Sequence, residues 1–284
     1  MVALGLALGA SIAWGGSDFL AGLVARRLPV LTLLVLSQGA GLLLLLALLA
    51  LAGQPAPPPD AVAIAAGAGL AEMVGFAAFY RSLAIGPMSV VAPIASLAAV
   101  VPVAFGLAGG ERPAPVAGCG LALAVACGAL VAFESDPEGR RTRRIAPGAA
   151  LAAFSAFAFG AFFVGTDAAS DSGGVAWTVA VNRSTSFAAL ALVVLVGRRG
   201  LSYRAGDLRP AAIIGLLDAG ANALFALALT HGMTSTVGVI GSLYPVTTVG
   251  LAAVVLHERP RALQALGVAG VLVGIGLVTA WGGA

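Results

Sequence analysis

Apolar residues run along this chain in long blocks, and Gly, Pro and Arg gather in the short stretches between them. The blocks cover residues 2–25, 29–52, 61–85, 88–108, 114–133, 147–168, 175–196, 210–230, 234–256 and 262–281. A helix rises about 1.5 Å per residue and bilayer hydrocarbon is about 30 Å thick, so about 20 apolar residues cross it. Each block therefore predicts one transmembrane helix, ten in all. The breaks are Arg26-Arg27-Leu28, residues 53–60, Gly86-Pro87, 109–113, 134–144, 170–174, 197–209, His231-Gly232-Met233 and 257–261. Pro and Gly mark nearly all of them, as helix termination requires. The fold class expected is an all-α polytopic membrane protein.

One of these blocks occurs twice. Residues 232–260 (GMTSTVGVIGSLYPVTTVGLAAVVLHERP) lie 146 to 147 positions after residues 86–113 (GPMSVVAPIASLAAVVPVAFGLAGGERP). Gly86 falls over Gly232, Ser96 over Ser242, and Glu111-Arg112-Pro113 over Glu258-Arg259-Pro260. The same register sets Gly120 over Gly267, Cys127 over Gly274 and Glu72 over Asp218. The chain thus reads as two copies of one five-helix plan, residues 1–144 and 145–284. Five is odd, so the second copy enters the bilayer from the opposite face. Two inverted repeats of this kind can open one midplane site to either side by rocking.

Charge adds an orientation. With loops assigned alternately to two sides, Arg26, Arg27, Arg140, Arg141, Arg143, Arg144, Arg198, Arg199, Arg204, Arg209, Arg259 and Arg261 share one side, and only Arg112 falls on the other. The rich side is expected to be cytoplasmic, with both termini outside a bacterial-type inner (plasma) membrane. The N-terminus is apolar from Val2 without a basic leader, which reads as a retained first span.

Composition agrees with a bilayer protein. The chain is 60% hydrophobic and 10% charged, against about 25% charged in ordinary soluble domains. The basic excess does not point to nucleic acid, because all fifteen basic residues are Arg and most cluster between apolar runs. Cys119 and Cys127 sit eight apart on one helix, which is too rigid to join them. Only His231 and His257 accompany them, both in loops, so neither a metal site nor a cofactor is expected.

Glu72 and Asp218 carry the most informative charges, since each lies near the middle of its span. An ionised carboxylate there must be protonated, paired or wetted by a cavity. Their matched positions argue for a shared central cavity in which they carry protons or anchor substrate; the plainer reading is hydrogen bonding to neighbouring helices. A buried carboxylate that gives up its proton when a cation arrives couples the two movements. Asn222 follows Asp218 by one turn on the same face.

Arg183 either pairs with Asp167 across the 170–174 turn or anchors a substrate carboxylate, and Asp18 either lines the cavity or pairs with Arg26. Arg81, near a span end, snorkels to the interface. Trp14, Tyr80 and Tyr244 either stack a flat substrate or pack. Ser96 and Ser242 sit among Pro93, Pro102 and Pro245, which makes spans four and nine either gates or simple kinks. The twin Glu-Arg-Pro reads as a helix start. Gly120, Ala124 and Gly128 with Gly267, Gly270 and Gly274 form small-residue stripes that pack the halves together or offer a homodimer surface.

Trp14-Gly15, Phe79-Tyr80-Arg81-Ser82-Leu83-Ala84, Ser242-Leu243-Tyr244-Pro245 and the two Glu-Arg-Pro ends, each followed by a glycine-bearing span, resemble the drug/metabolite transporter superfamily in its EamA-like branch. The resemblance extends over nearly the whole chain. It implies a secondary carrier whose cavity is lined mainly by spans one, three, four, six, eight and nine, with span seven and its Arg183 peripheral. Ala99 stands about where the second repeat has Pro245, so the gate is not symmetric. The expected partners are a small-molecule substrate, lipid and, in the coupled reading, protons. Efflux of an amino acid or amphipathic metabolite by alternating access is the leading reading, and uptake by a permease of the same fold is the alternative. A channel would want a continuous polar lining. A membrane enzyme would want clustered His, Asp or Cys, or a nucleotide motif.

Overall fold

The structure, a computed structural model of the 284-residue chain, describes residues 2–101, 105, 115–134, 144–145, 147–198, 200–229, 231, 243–257 and 262–281. The described helices are α1 (Val2–Ala25), α2 (Val30–Ala52), α3 (Pro59–Ile85), α4 (Met88–Ala95), α5 (Pro115–Ala132), α6 (Ala149–Gly173), α7 (Val175–Val196), α8 (Ala205–Leu229), α9 (Tyr244–Val255) and α10 (Ala262–Trp281). Between α5 and α6, Phe133–Glu134 (β1) pairs antiparallel with Arg144–Ile145 (β2). Among the described residues, six helices are long and apolar enough to cross a membrane alone, namely α1, α2, α3, α6, α7 and α8. The Ser242 position and both Glu-Arg-Pro segments lie outside the described residues.

Helix ends follow the breakers. Gly53, at φ 59, ends α2 in the left-handed region, where glycine avoids the Cβ clash. Gly174, at φ 75 and ψ 146, separates α6 from α7, a conformation open to glycine alone among common residues. The expected turn over 170–174 therefore contracts to one residue, and α6 runs on to Gly173. Span eight also begins earlier than its apolar block, at Ala205. Asp207 accepts a hydrogen bond from the Arg204 backbone N–H at 2.9 Å, the reciprocal half of a capping box.

The fourth span is interrupted. After Pro93 the α-helix gives way to a 3-10 turn over Ser96–Ala99. Pro93 cannot donate to the carbonyl one turn back. Ser96 Oγ also donates to the Pro93 carbonyl at 2.8 Å, a bond that competes with regular helix geometry.

Burial is inverted relative to a soluble protein. Leu51 is 84% exposed and Val196 75%, whereas Arg183 is 2% and Glu72 3% exposed. Large apolar side chains cover much of the outside while Asp18, Glu72, Arg183 and Asp218 sit within, an arrangement suited to lipid. The protein is a multi-pass membrane protein.

Helix pairings repeat between the halves. α3 packs along α6 as α1 packs along α8; α2 meets α8 as α3 meets α7; α2 meets α7, α4 meets α9 and α5 meets α10. Exchanging each helix with the one five places on leaves this set unchanged, which is a two-fold relation between the copies. The fifth helices run antiparallel. A Cβ on Gly274 would lie 2.6 Å from the Gly120 carbonyl oxygen, and one on Gly270 would strike Cys127. Absent side chains permit that approach.

Most buried apolar side chains gather at the end of the bundle that carries Arg26 and Gly86, in a cluster including Phe79, Leu83, Met88, Val91, Leu33 and Ile214. At the opposite end the described residues form only a small cluster of Ala3, Ala7 and Ala228 with Leu6 and Phe225.

Candidate functional site

Four helices meet at mid-depth, and each brings one polar side chain. Glu72 is the fourteenth of the 27 residues of α3, and Asp218 the fourteenth of the 25 of α8. Gln38 is the ninth of the 23 residues of α2, and Arg183 the ninth of the 22 of α7. The quartet is thus two matched pairs, one member of each from each copy.

Arg183 ties the four together. Its Nη2 lies 2.6 Å from Asp218 Oδ2 and 3.1 Å from Glu72 Oε1, and its Nη1 donates to Gln38 Oε1. The Phe76 ring stands 5.8 Å from the guanidinium carbon, close enough for a cation–π attraction. All four polar residues are buried. Two carboxylates facing one guanidinium leave one formal negative charge in excess. Among the described residues, Glu72 Oε2, Arg183 Nε and Ser186 Oγ are buried without a well-formed hydrogen bond, and the Ser186 hydroxyl lies beside Glu72.

Backbone contacts set these distances. A Cβ on Gly69 would strike the Asn182 carbonyl, and one on Gly215 would strike the Ser37 carbonyl. Glycine therefore lets α3 close on α7, and α8 on α2, one turn away from the carboxylates. The Asn182 side chain, next to Arg183, bonds the Thr166 hydroxyl at 2.9 Å and links α7 to α6.

A second layer lies against the first. Asp18 on α1 is 9% exposed, within electrostatic reach of Asp218, Tyr80 and Tyr244. Trp14, one turn earlier, packs at a tilt against Phe225 at 5.3 Å and edge-on against Tyr244 at 6.5 Å between ring centroids. Thr248 donates to the Gly15 carbonyl at 3.2 Å and joins α9 to α1. Asn222 turns its amide to the Asp218 carbonyl at 3.0 Å. Ser96 is buried in the α4 bend.

The sequence expectations meet this geometry unevenly. Glu72 and Asp218 do converge, on a closed ion-pair cluster. The expected Arg183–Asp167 pair does not form: Arg183 points inward to Glu72 and Asp218, and Asp167 is on the exposed face of α6. Nor is α7 peripheral, because it supplies the cluster's cation. Asp18 turns inward, while Arg26 is exposed and reaches the Gly86 carbonyl at 3.5 Å. Arg81 is exposed, as a snorkelling side chain would be. Gln38 and Ser186 were missed. A lone amide in the Leu-rich α2 was the available signal for Gln38; nothing marked Ser186 among the other hydroxyls of α7.

The sequence model of the EamA-like transporter family matches twice, over residues 1–133 and 146–280. The chain belongs to the EamA-like transporter family. The two matches begin 145 positions apart, which is also the separation of Gln38 and Arg183. No curated protein matches this EamA-like chain. Fifteen solved chains do. One of them, a crystal structure titled only as that of a protein, is 18% identical with a TM-score of 0.63, covering 95% of this chain and 98% of its own. At that identity the likeness concerns the fold alone. This EamA-like protein is accordingly a membrane transporter of the drug/metabolite type.

Proposed function

We propose that this protein is a secondary active transporter that moves a small metabolite, an amino acid or amphipathic compound, outward across a bacterial-type inner membrane by alternating access. The observation that carries the reading is the meeting of Glu72 and Asp218, one from each copy, on a single buried cation. Residues 1–144 and 145–284 are two five-helix repeats inverted across the bilayer, ten spans in total, with both termini outside. The antiparallel contact of α5 with α10 supports the inversion.

A site on the two-fold axis between such repeats moves little when they rock, so either face can open to it. Glu72 and Asp218 exchange protons for cargo, Trp14, Tyr80 and Tyr244 provide its apolar contacts, and Asn222, Ser96 and Ser242 its polar ones. The bend at Pro93 and Ser96 lets α4 act as a gate, since a helix weakened there flexes at lower cost.

The test is flux in proteoliposomes under an imposed pH gradient, with Glu72→Gln and Asp218→Asn beside the wild type. The wild type should accumulate solute in response to the gradient, and each amide variant should lose at least about tenfold of that response. Undiminished gradient-driven flux in both variants would remove the carboxylates from the mechanism. Accumulation only in the opposite direction would favour the uptake permease.

A further inference from the structure

We infer that Glu72, Asp218, Gln38 and the Phe76 ring form a subsite for the cationic end of the cargo, a guanidinium or primary ammonium group, and that Arg183 is its resident occupant. The inference rests on the transporter reading and gives it a substrate class. The acceptors around Arg183 are those a foreign guanidinium would need: a carboxylate from each copy, an amide oxygen and an aromatic face. The charge count also selects the sign of the cargo. With both carboxylates ionised, Glu72 and Asp218 exceed Arg183 by one. An incoming anion meets repulsion, whereas an incoming cation completes the neutralisation.

The site is also not fully used by its occupant. Among the described residues, Glu72 Oε2 and the Ser186 hydroxyl beside it are buried without a well-formed hydrogen bond, so the carboxylate keeps acceptor capacity for a second donor. Arg183 keeps one carboxylate when cargo takes the other, which spares the protein an unpaired buried guanidinium. Arg183 itself reaches Gln38 and Glu72 of the other copy as well as Asp218 of its own, while its matched position holds the neutral Gln38. A single cation on the axis is therefore shared by the two copies, and the protein provides one when cargo is absent.

Binding is read as the thermal-unfolding shift of the detergent-purified full chain with methylguanidinium, methylammonium, tetramethylammonium or acetate. The wild type should be stabilised saturably by methylguanidinium and methylammonium. Tetramethylammonium, which has no N–H donor, and acetate should have no such effect. Arg183→Ala should bind methylguanidinium about tenfold more tightly, and Arg183→Lys, which keeps a buried cation, about threefold more tightly. Glu72→Gln combined with Asp218→Asn should abolish the response. A response confined to Arg183→Ala, with none in the wild type, would mean that the cation merely fills a vacated hole, and would overturn the inference. Counterflow in proteoliposomes separates the two readings. Carriage of anions, with no flux of amines, guanidines or ammonium-bearing zwitterions, would contradict the cation subsite and leave the transporter standing. Saturable cation binding by the wild type with no flux of any solute would support the subsite and contradict the carrier.

Discussion

Arg183 holds its guanidinium 2.6 Å from one carboxylate and 3.1 Å from another at 2% exposure. Removing one partner of such a cluster leaves a buried charge uncompensated. Arg183→Ala should therefore lower unfolding stability by about 3–5 kcal/mol, read as a fall in the melting temperature of the purified protein. Gln38→Leu should cost less, about 1–3 kcal/mol, because it leaves a guanidinium N–H unpaired but no charge unbalanced. Equal melting temperatures for Arg183→Ala and wild type would show that the guanidinium is not held as the distances indicate.

Glu72 and Asp218 could be found from sequence because a charge among apolar neighbours stands out in any fold. Their partner could not. Arg183 has Asp167 near in sequence and Glu72 and Asp218 far away. An apolar span also lacks the one-sided pattern that would say which face looks inward. The amide of Gln38 had the same weakness and was passed over.

At the scale of helices, the ion-pair geometry depends on backbones that touch. Gly215 lets α8 lie against the Ser37 carbonyl of α2, and Gly69 lets α3 lie against Asn182 of α7. Gly215→Ala and Gly69→Ala should each destabilise by about 1–3 kcal/mol, since the added methyl meets backbone and not a movable side chain. Gly220→Ala, on the same helix but with nothing within 4 Å of the added carbon, should change stability by less than about 0.5 kcal/mol. Comparable losses in all three would sink the close-approach account.

The α4 bend gives a kinetic prediction instead. Pro93→Ala restores the missing donor, so maximal flux should fall several-fold, by about threefold to tenfold, at an unchanged half-saturating concentration if helix flexing limits turnover. Helix positions were mostly legible from the apolar blocks. The exceptions were local: a glycine in an unusual conformation compressed the α6–α7 turn, and the Asp207 cap advanced α8 past the limit set by hydropathy.

At the scale of the whole molecule, the two-copy plan was legible from the repeated stretch that ends in Glu-Arg-Pro, and the family matches over residues 1–133 and 146–280 rest on the same duplication. The sequence could not show that the duplication places Gln38 opposite Arg183 and Glu72 opposite Asp218, because that needs the helices docked. The proposed carrier mechanism requires that the two copies be related by a two-fold in the membrane plane, so that both share one site.

Sided labelling tests it most directly. In a background carrying Cys119→Ser and Cys127→Ser, Arg112→Cys and Arg259→Cys place single thiols at matched loop positions of the two copies. A membrane-impermeant maleimide applied to intact cells should label the thiol at position 112, and should reach the one at 259 only after permeabilisation. Labelling of both from the same face would contradict the inverted duplication and the shared cation site with it.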